Sequence, residues 1–314
     1  MQNLKSFVLL IGLGAPALLV AGCGGGQQFA PANAPAAAPI TSNANAKGGA
    51  SYEYTCQSET SNIDCLVYQD NKTVRTITKG LKKPLGVAAG KDGLFYIADQ
   101  SAKDIFVYSA GGAKLVATLS DASNAPVDVA VYNDEVAAAN KNTLTFFKKG
   151  ATKPTLTLKD STAVQGSGAA FDSAGNCYWS FTTKSGASVD EFKGCKGSPV
   201  NLKISPGTPY GIAFDGSGNL YYTSYNAAGR GIYTCSGVKS CALAFTKLSF
   251  INPQYVNFSS NFADVWIDDP GSYSCYCNGL YGIDVKTGKE SGKILNGLSF
   301  FDPPTGVAIG PGPL

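Results

Sequence analysis

Asp268 and Asp269 stand side by side ahead of Pro270. Adjacent like charges resist joint ionisation, so such a pair suits a cation or a displaced proton equilibrium. The plainer expectation for it is a solvated loop. Tyr210, Tyr225, Asn226, Gln254 and Tyr255 lie in the same half of the chain. Their rings offer stacking area, and their hydroxyl and amide groups offer direction, for a sugar or planar ligand. Asp172 and Asp215 each open an Asp-x-x-Gly-Asn segment that superficially looks like a calcium loop. Neither has the further spaced oxygens or the terminal Glu of an EF-hand, and a tight turn accounts for both. These residues imply no metal and no cofactor, and none is identified as catalytic.

The chain of 314 residues contains no histidine. That removes the Ser-His-Asp and Cys-His nucleophile systems, together with histidine-ligated zinc, haem and non-haem iron. A net charge of +3 without a basic stripe excludes a nucleic-acid footprint. Charged residues make up 15% and hydrophobic ones 44%, which marks a folding chain rather than a disordered one. Abundant Tyr, Thr, Val and Gly lean towards β structure.

The elements that position these groups begin after a leader. Lys5 precedes an apolar run from Phe7 to Leu19, too short and too interrupted by Pro16 to be a permanent span. The run ends in Leu19-Val20-Ala21-Gly22-Cys23. Small residues ahead of a cysteine resemble the lipobox of bacterial lipoproteins. The resemblance implies that residues 1–22 are a cleaved signal peptide and that lipid on Cys23 holds the mature protein to a membrane. Several acyl chains make such anchoring stable where one would be marginal. Gly24 rather than Asp after the cysteine implies, by the same resemblance, the outer membrane of a Gram-negative envelope. Residues 24–50 are mostly Gly, Ala, Pro, Asn and Gln. Such composition cannot offset its ordering entropy, so residues 23–50 read as a lipidated cysteine and a tether, with a reach of roughly 30 Å.

Residues 51–314 are organised by a repeat. It appears as Pro84-Leu85-Gly86-Val87-Ala88, Pro126-Val127-Asp128-Val129-Ala130 and Gly166-Ser167-Gly168-Ala169-Ala170. It returns as Pro209-Tyr210-Gly211-Ile212-Ala213, Pro253-Gln254-Tyr255-Val256-Asn257 and Pro304-Thr305-Gly306-Val307-Ala308. Successive starts are 42, 40, 43, 44 and 51 residues apart. A period in the forties with strand-like content predicts propeller blades of four antiparallel strands. Turn signals such as Asp172-Ser173-Ala174-Gly175-Asn176 separate a first strand from an aromatic second one. Only five residues follow Ile309, so the sixth blade lacks three strands there. Tyr52–Thr55, Cys65–Tyr68 and Val74–Ile77 supply them from the other end. The prediction is an all-β, six-bladed β-propeller closed by N-terminal strands joining a C-terminal inner strand.

Pro-x-Gly-Val-Ala, then Asp-x-x-Gly-Asn, then an aromatic strand ending in Asp or Tyr, resembles the NHL and related six-bladed repeats. In that family one face gathers the loops leading into inner strands and those leaving second strands, and it is the usual binding surface. On this chain the face would carry Asp99, Asp128, Asn140, Gln165, Thr182, Tyr210, Tyr225, Asn226, Gln254, Tyr255, Asp268 and Asp269; the alternative is that these residues only satisfy their own turns.

Beyond Cys23 there are eight cysteines, an even number that suits disulfides in an exported chain. Local pairing would join Cys56 to Cys65, Cys177 to Cys195 and Cys235 to Cys241, leaving Cys275 and Cys277. A pairing across blades five and six through Cys56 or Cys65 stays open.

The resulting reading is a lipid-anchored envelope protein whose propeller binds a ligand, a carbohydrate or an envelope protein without catalysis. A metal-dependent hydrolase or lactonase of the gluconolactonase-like propeller type is the first alternative. It lacks the Glu-Gly-Pro motif of that family, with Glu53 as the nearest substitute. A purely structural surface protein is the second.

Overall fold

The computed structural model describes residues 51–58, 63–122, 124–225, 229–271, 278–295, 298 and 304–310. They form six four-stranded antiparallel sheets. β1 (Tyr52–Ser58), β2 (Ile63–Gln69) and β3 (Lys72–Ile77) come first and belong to blade six. Blade one is β4 (Pro84–Ala89), β5 (Phe95–Asp99), β6 (Asp104–Tyr108) and β7 (Leu115–Ser120). Blade two is β8 (Asp128–Tyr132), β9 (Glu135–Ala139), β10 (Leu144–Phe147) and β11 (Leu156–Leu158). Blade three is β12 (Gln165–Phe171), β13 (Cys177–Thr183), β14 (Gly186–Phe192) and β15 (Val200–Asn201). Blade four is β16 (Pro209–Phe214), β17 (Leu220–Ser224), β18 (Gly231–Ser236) and β19 (Ser240–Leu243). Blade five is β20 (Val256–Phe258), β21 (Asp264–Asp269), β22 (Gly279–Asp284) and β23 (Glu290–Ile294). β24 (Pro304–Gly310) pairs with β1 and completes blade six in the order β24-β1-β2-β3. The predicted ring closure is therefore present. No helix of the described residues is long and apolar enough to cross a membrane.

Strand alternation distributes the core. In β5, Phe95 and Ile97 join a cluster with Tyr54 and Val67 of blade six, while Tyr96 and Ala98 join Val129 and Phe147 of blade two. In β13, Trp179 and Phe181 meet Leu144 and Phe146, while Tyr178 meets Ile212 and Tyr222. The remaining clusters lie between blades four and five, around Val265 and Ile267, and between blades five and six, around Leu66 and Trp266. The period of two sends successive side chains to opposite neighbours, so each sheet is buried on both faces.

The repeated glycine has a steric cause. A Cβ on Gly211 would sit 2.4 Å from the Gln254 carbonyl oxygen, and one on Gly306 would sit 2.6 Å from the Leu85 carbonyl oxygen. Inner strands approach their neighbours so closely at this position that a side chain there would displace backbone. Gly86 and Gly211 also donate their N–H groups across the gap, to Val127 O and Gln254 O, both at 2.9 Å. Asp128 and Tyr255 replace the glycine in blades two and five, which sit opposite each other in the ring. There the inner strands start late, at Asp128 and Val256 rather than at Pro126 and Pro253. In blade five the reason is local: the Tyr255 N–H goes to the Asp268 carboxylate instead of the ladder.

Turns behave as their residues require. Asp172 Oδ1 accepts the N–H groups of Ala174 at 2.9 Å and Asn176 at 2.8 Å. Asp215 repeats this with Ser217 and Asn219. Both carboxylates are consumed by their hairpins. Three disulfides form, Cys56–Cys65, Cys177–Cys195 and Cys235–Cys241. Cys275, Cys277 and Cys23 lie outside the described residues.

All seven residues of β24 are buried. Removing residues 304–314 uncovers β1 and the inner face of β4 together, so the melting temperature should fall by more than roughly 10 °C. Calorimetry of the truncated chain checks this. Melting at the wild-type temperature would mean that β24 does not close the ring.

Candidate functional site

Around the axis, backbone groups freed by β-bulges are recaptured by side chains of the second strands. The register of the inner strand shifts between Pro84 and Val87, between Gly166 and Gly168, and between Pro209 and Ile212. A similar shift interrupts the β1–β24 pairing between Tyr54 and Cys56. Opposite the bulges of blades six, three and four stand small polar residues, while Ala98 holds that place in blade one. Thr55 donates to Gly306 O at 2.7 Å, and Thr223 accepts from the Gly211 N–H at 3.0 Å and donates to Gln254 O. Ser180 donates to Tyr210 O of the next blade. In blade five the same place belongs to Asp268, which accepts from the N–H groups of Tyr255 and Gly306, the latter at 3.0 Å. Asp128 Oδ2 accepts from the Ala169 N–H at 3.0 Å. Each bond ties one blade to itself or to the next. The sequence reading missed Thr55, Ser180 and Thr223. A signal existed: each directly follows an aromatic residue on a second strand.

Asp99 and Asp269 do a second structural task. Asp99 accepts from the N–H groups of Lys82 at 2.7 Å, Lys83 at 3.0 Å and Ala102 at 2.9 Å. Asp269 accepts from Ile251 and Asn252, both at 2.8 Å, and from Gly271 at 2.9 Å. Both carboxylates clamp the two residues ahead of the repeat's proline. The expectation of a solvated loop at Asp268-Asp269 is thus corrected: both end strand β21, and both are buried. Backbone donors satisfy them.

The other candidates divide by exposure. Asn140 is buried and donates to Thr145 Oγ1 at 2.9 Å and to Ala138 O. Gln165 and Thr182 are half-buried partners across β12 and β13, with Thr182 donating to Gln165 O at 3.3 Å. Asn226 lies outside the described residues. Three tyrosines come together. The ring of Tyr210 lies 5.5 Å from that of Tyr225 and 5.5 Å from that of Tyr255, edge to face in both pairs. Tyr255 is 4% exposed, and its hydroxyl donates to Val127 O of the opposite blade at 3.0 Å. Tyr210 is half-buried beside half-buried Gln254, and Tyr225 is 38% exposed. The result is an aromatic stair from the axis to the rim. Its lowest step is fixed across the channel and its highest is open to solvent.

No family model matches this sequence, and no curated protein matches it. Among solved structures, one similar chain belongs to the crystal structure of a nidogen/laminin complex. The likeness has a TM-score of 0.66 at 16% identity and covers 82% of this chain and 98% of that one. At that identity it establishes the propeller fold alone.

Burial pushes Asp128 up to about 7, with partial relief from the N–H groups of Ala169 and Val129. Burial also holds Asp268 well above the usual carboxylate range, with the charges of Asp269 and Asp128 adding to it. The folded state therefore keeps a proton on Asp128 that the unfolded chain releases near its ordinary value of 3.8. A raised folded value contributes stability that is complete at low pH and lost as pH rises through the folded value. Melting temperature should fall between about pH 4 and pH 7, and Asp128→Asn, which retains an acceptor oxygen for Ala169, should flatten that fall. Parallel pH profiles for the two proteins would contradict the assignment.

Proposed function

We propose that this chain is a lipid-anchored envelope protein whose propeller binds a protein partner, without catalysis, through the rim formed by Tyr210, Tyr225 and Gln254. The observation that carries the reading is the aromatic stair. Tyr225 is exposed, yet its neighbour Tyr210 is packed against Tyr255, and Tyr255 is fixed by its bond to Val127. Such an array presents large contact area already ordered, which lowers the entropy cost of association. The similar chain from the nidogen/laminin complex supports a protein partner over a small ligand, because a propeller of this shape is seen there in a protein assembly. The lipobox-like Val20-Ala21-Gly22-Cys23 and the polar stretch 24–50 support attachment to the membrane through Cys23, with the outer membrane as the address.

Tyr225→Ala should weaken partner binding by roughly 1–3 kcal/mol if the rim is the centre of the interface. The stability of the fold should stay unchanged, because Tyr225 closes no bond on which the ring depends. Crosslinking in intact envelopes with a photoreactive residue at position 225 identifies the partner, and affinity measurement with both proteins checks the loss. Equal affinity for the variant rejects this rim.

Cys23→Ser should abolish lipidation and leave the chain unanchored or with its leader uncut. Normal fractionation of the variant, with no fatty acid on wild-type Cys23, rejects the anchor.

A further inference from the structure

Blades two and three invite a comparison at equivalent positions. In blade two, Asp121 lies between β7 and β8, and the Thr145 hydroxyl from the third strand donates to it. Asn124 donates to the same carboxylate at 2.6 Å, so the group is well supplied with donors. In blade three, Asp160 occupies the corresponding place between β11 and β12. The residue that corresponds to Thr145, one strand beyond Trp179, is Asp190. The corresponding positions in blades one, four and five hold Phe106, Tyr233 and Tyr281. A second carboxylate thus stands where a donor or an apolar ring is found elsewhere.

The pair is poorly supplied. Asp190 is 0% exposed and, among the described residues, receives one bond, from the Asn201 amide to Oδ1 at 3.1 Å. Its Oδ2 is buried without a hydrogen-bond donor among the described residues. Asp160 stands within hydrogen-bonding reach of Asp190 and uses Oδ1 to hold the N–H and hydroxyl of Thr162. Beside Asp160 a crevice of about 530 Å³, bordered by Asn142, Ser161 and Pro199, leads to solvent. A buried carboxylate with an unsatisfied oxygen, close to a second carboxylate, is costly unless something positive lies nearby. Lys159 borders the same crevice but forms no ion pair with either group among the described residues.

We propose that Asp160 and Asp190 bind a divalent cation of the calcium type between blades two and three, with Asp190 Oδ2 as the inner ligand and water from the crevice completing the shell. Calcium accepts six to eight oxygens in flexible geometry and tolerates several waters. Two carboxylates with a partly hydrated shell suit the weak end of that range, about 10⁻⁴–10⁻³ M, which is the range of extracellular modules. Asp160 and Asp190 are far apart in the chain, so no spaced ligand motif announces them. The ion would join the loop between β11 and β12 to the third strand of blade three, as the Thr145 hydroxyl joins the equivalent parts one blade earlier.

Trp179 is the cross-strand partner of Asp190, so an ion there lies beside an indole. Terbium, a luminescent substitute for calcium, should emit when tryptophan of the purified full chain is excited, and added calcium should quench that emission by displacement. Calcium at about 10 mM should raise the melting temperature by roughly 3 °C or more. Asp190→Asn should lose both responses, and so should Asp160→Asn, the half-buried partner whose replacement is the safer for folding. Asp215→Asn, in a hairpin on the opposite face, should keep both. Absence of emission and of any calcium shift in the wild type would mean that the two carboxylates merely share a proton, and would overturn the site. Equal responses from wild type and Asp160→Asn would overturn it as well.

Discussion

The inner strands of this ring run side by side with only backbone and small side chains between them, and that crowding governs much else. Close approach demands glycine at the third position of the repeat, and the bulges that permit it leave amides and carbonyls without ladder partners. Buried backbone groups without partners are costly, so partners must come from side chains. Thr55, Ser180, Thr223 and Asp268 supply them, each from the second strand and each reaching its own or the next inner strand. Where glycine is replaced, in blades two and five, Asp128 and Tyr255 themselves carry the bonds across the gap.

This explains why the fold was easily read from the chain and the site was not. The glycine spacing is forced by backbone contact, so it survives as a period, and the period predicts blades, turns and the closure by β1 and β24. The role of a carboxylate at a strand end is not forced in the same way. Asp99 and Asp269 have the spacing expected of rim ligands, and they turn out to be clamps for Lys82-Lys83 and Ile251-Asn252. Spacing alone cannot separate a carboxylate that faces solvent from one that faces backbone amides. Tyr210, Tyr225 and Tyr255 were grouped correctly by strand order, but their graded exposure depends on the Tyr255–Val127 bond across the ring, which no local pattern records.

Charge plays a different part at the axis and at the periphery. At the axis, burial displaces the proton equilibria of Asp128 and Asp268 upward, although both accept bonds from amides. The outer ion pair between Lys149 and Asp134, at 2.6 Å, joins two solvent-exposed hairpins and contributes little. Stability rests instead on the apolar clusters between sheets. Because each cluster draws residues from two neighbouring blades, loosening one blade removes packing from both sides of it. Cooperative unfolding of the whole ring follows from that sharing.

The position of β1 also has a mechanical meaning. Tyr52 lies opposite Gly310, at the end of the inner strand far from the face that carries Tyr225. Under the proposed anchoring, the leash therefore leaves from the side of the ring opposite the tyrosine rim. A tug on the leash acts along β1, which is flanked on both sides by β24 and β2 and crosslinked to β2 through Cys56 and Cys65. Force in that direction shears two ladders at once instead of peeling one bond at a time. The end of the ring that is assembled from both chain termini is thereby the end best built to be pulled.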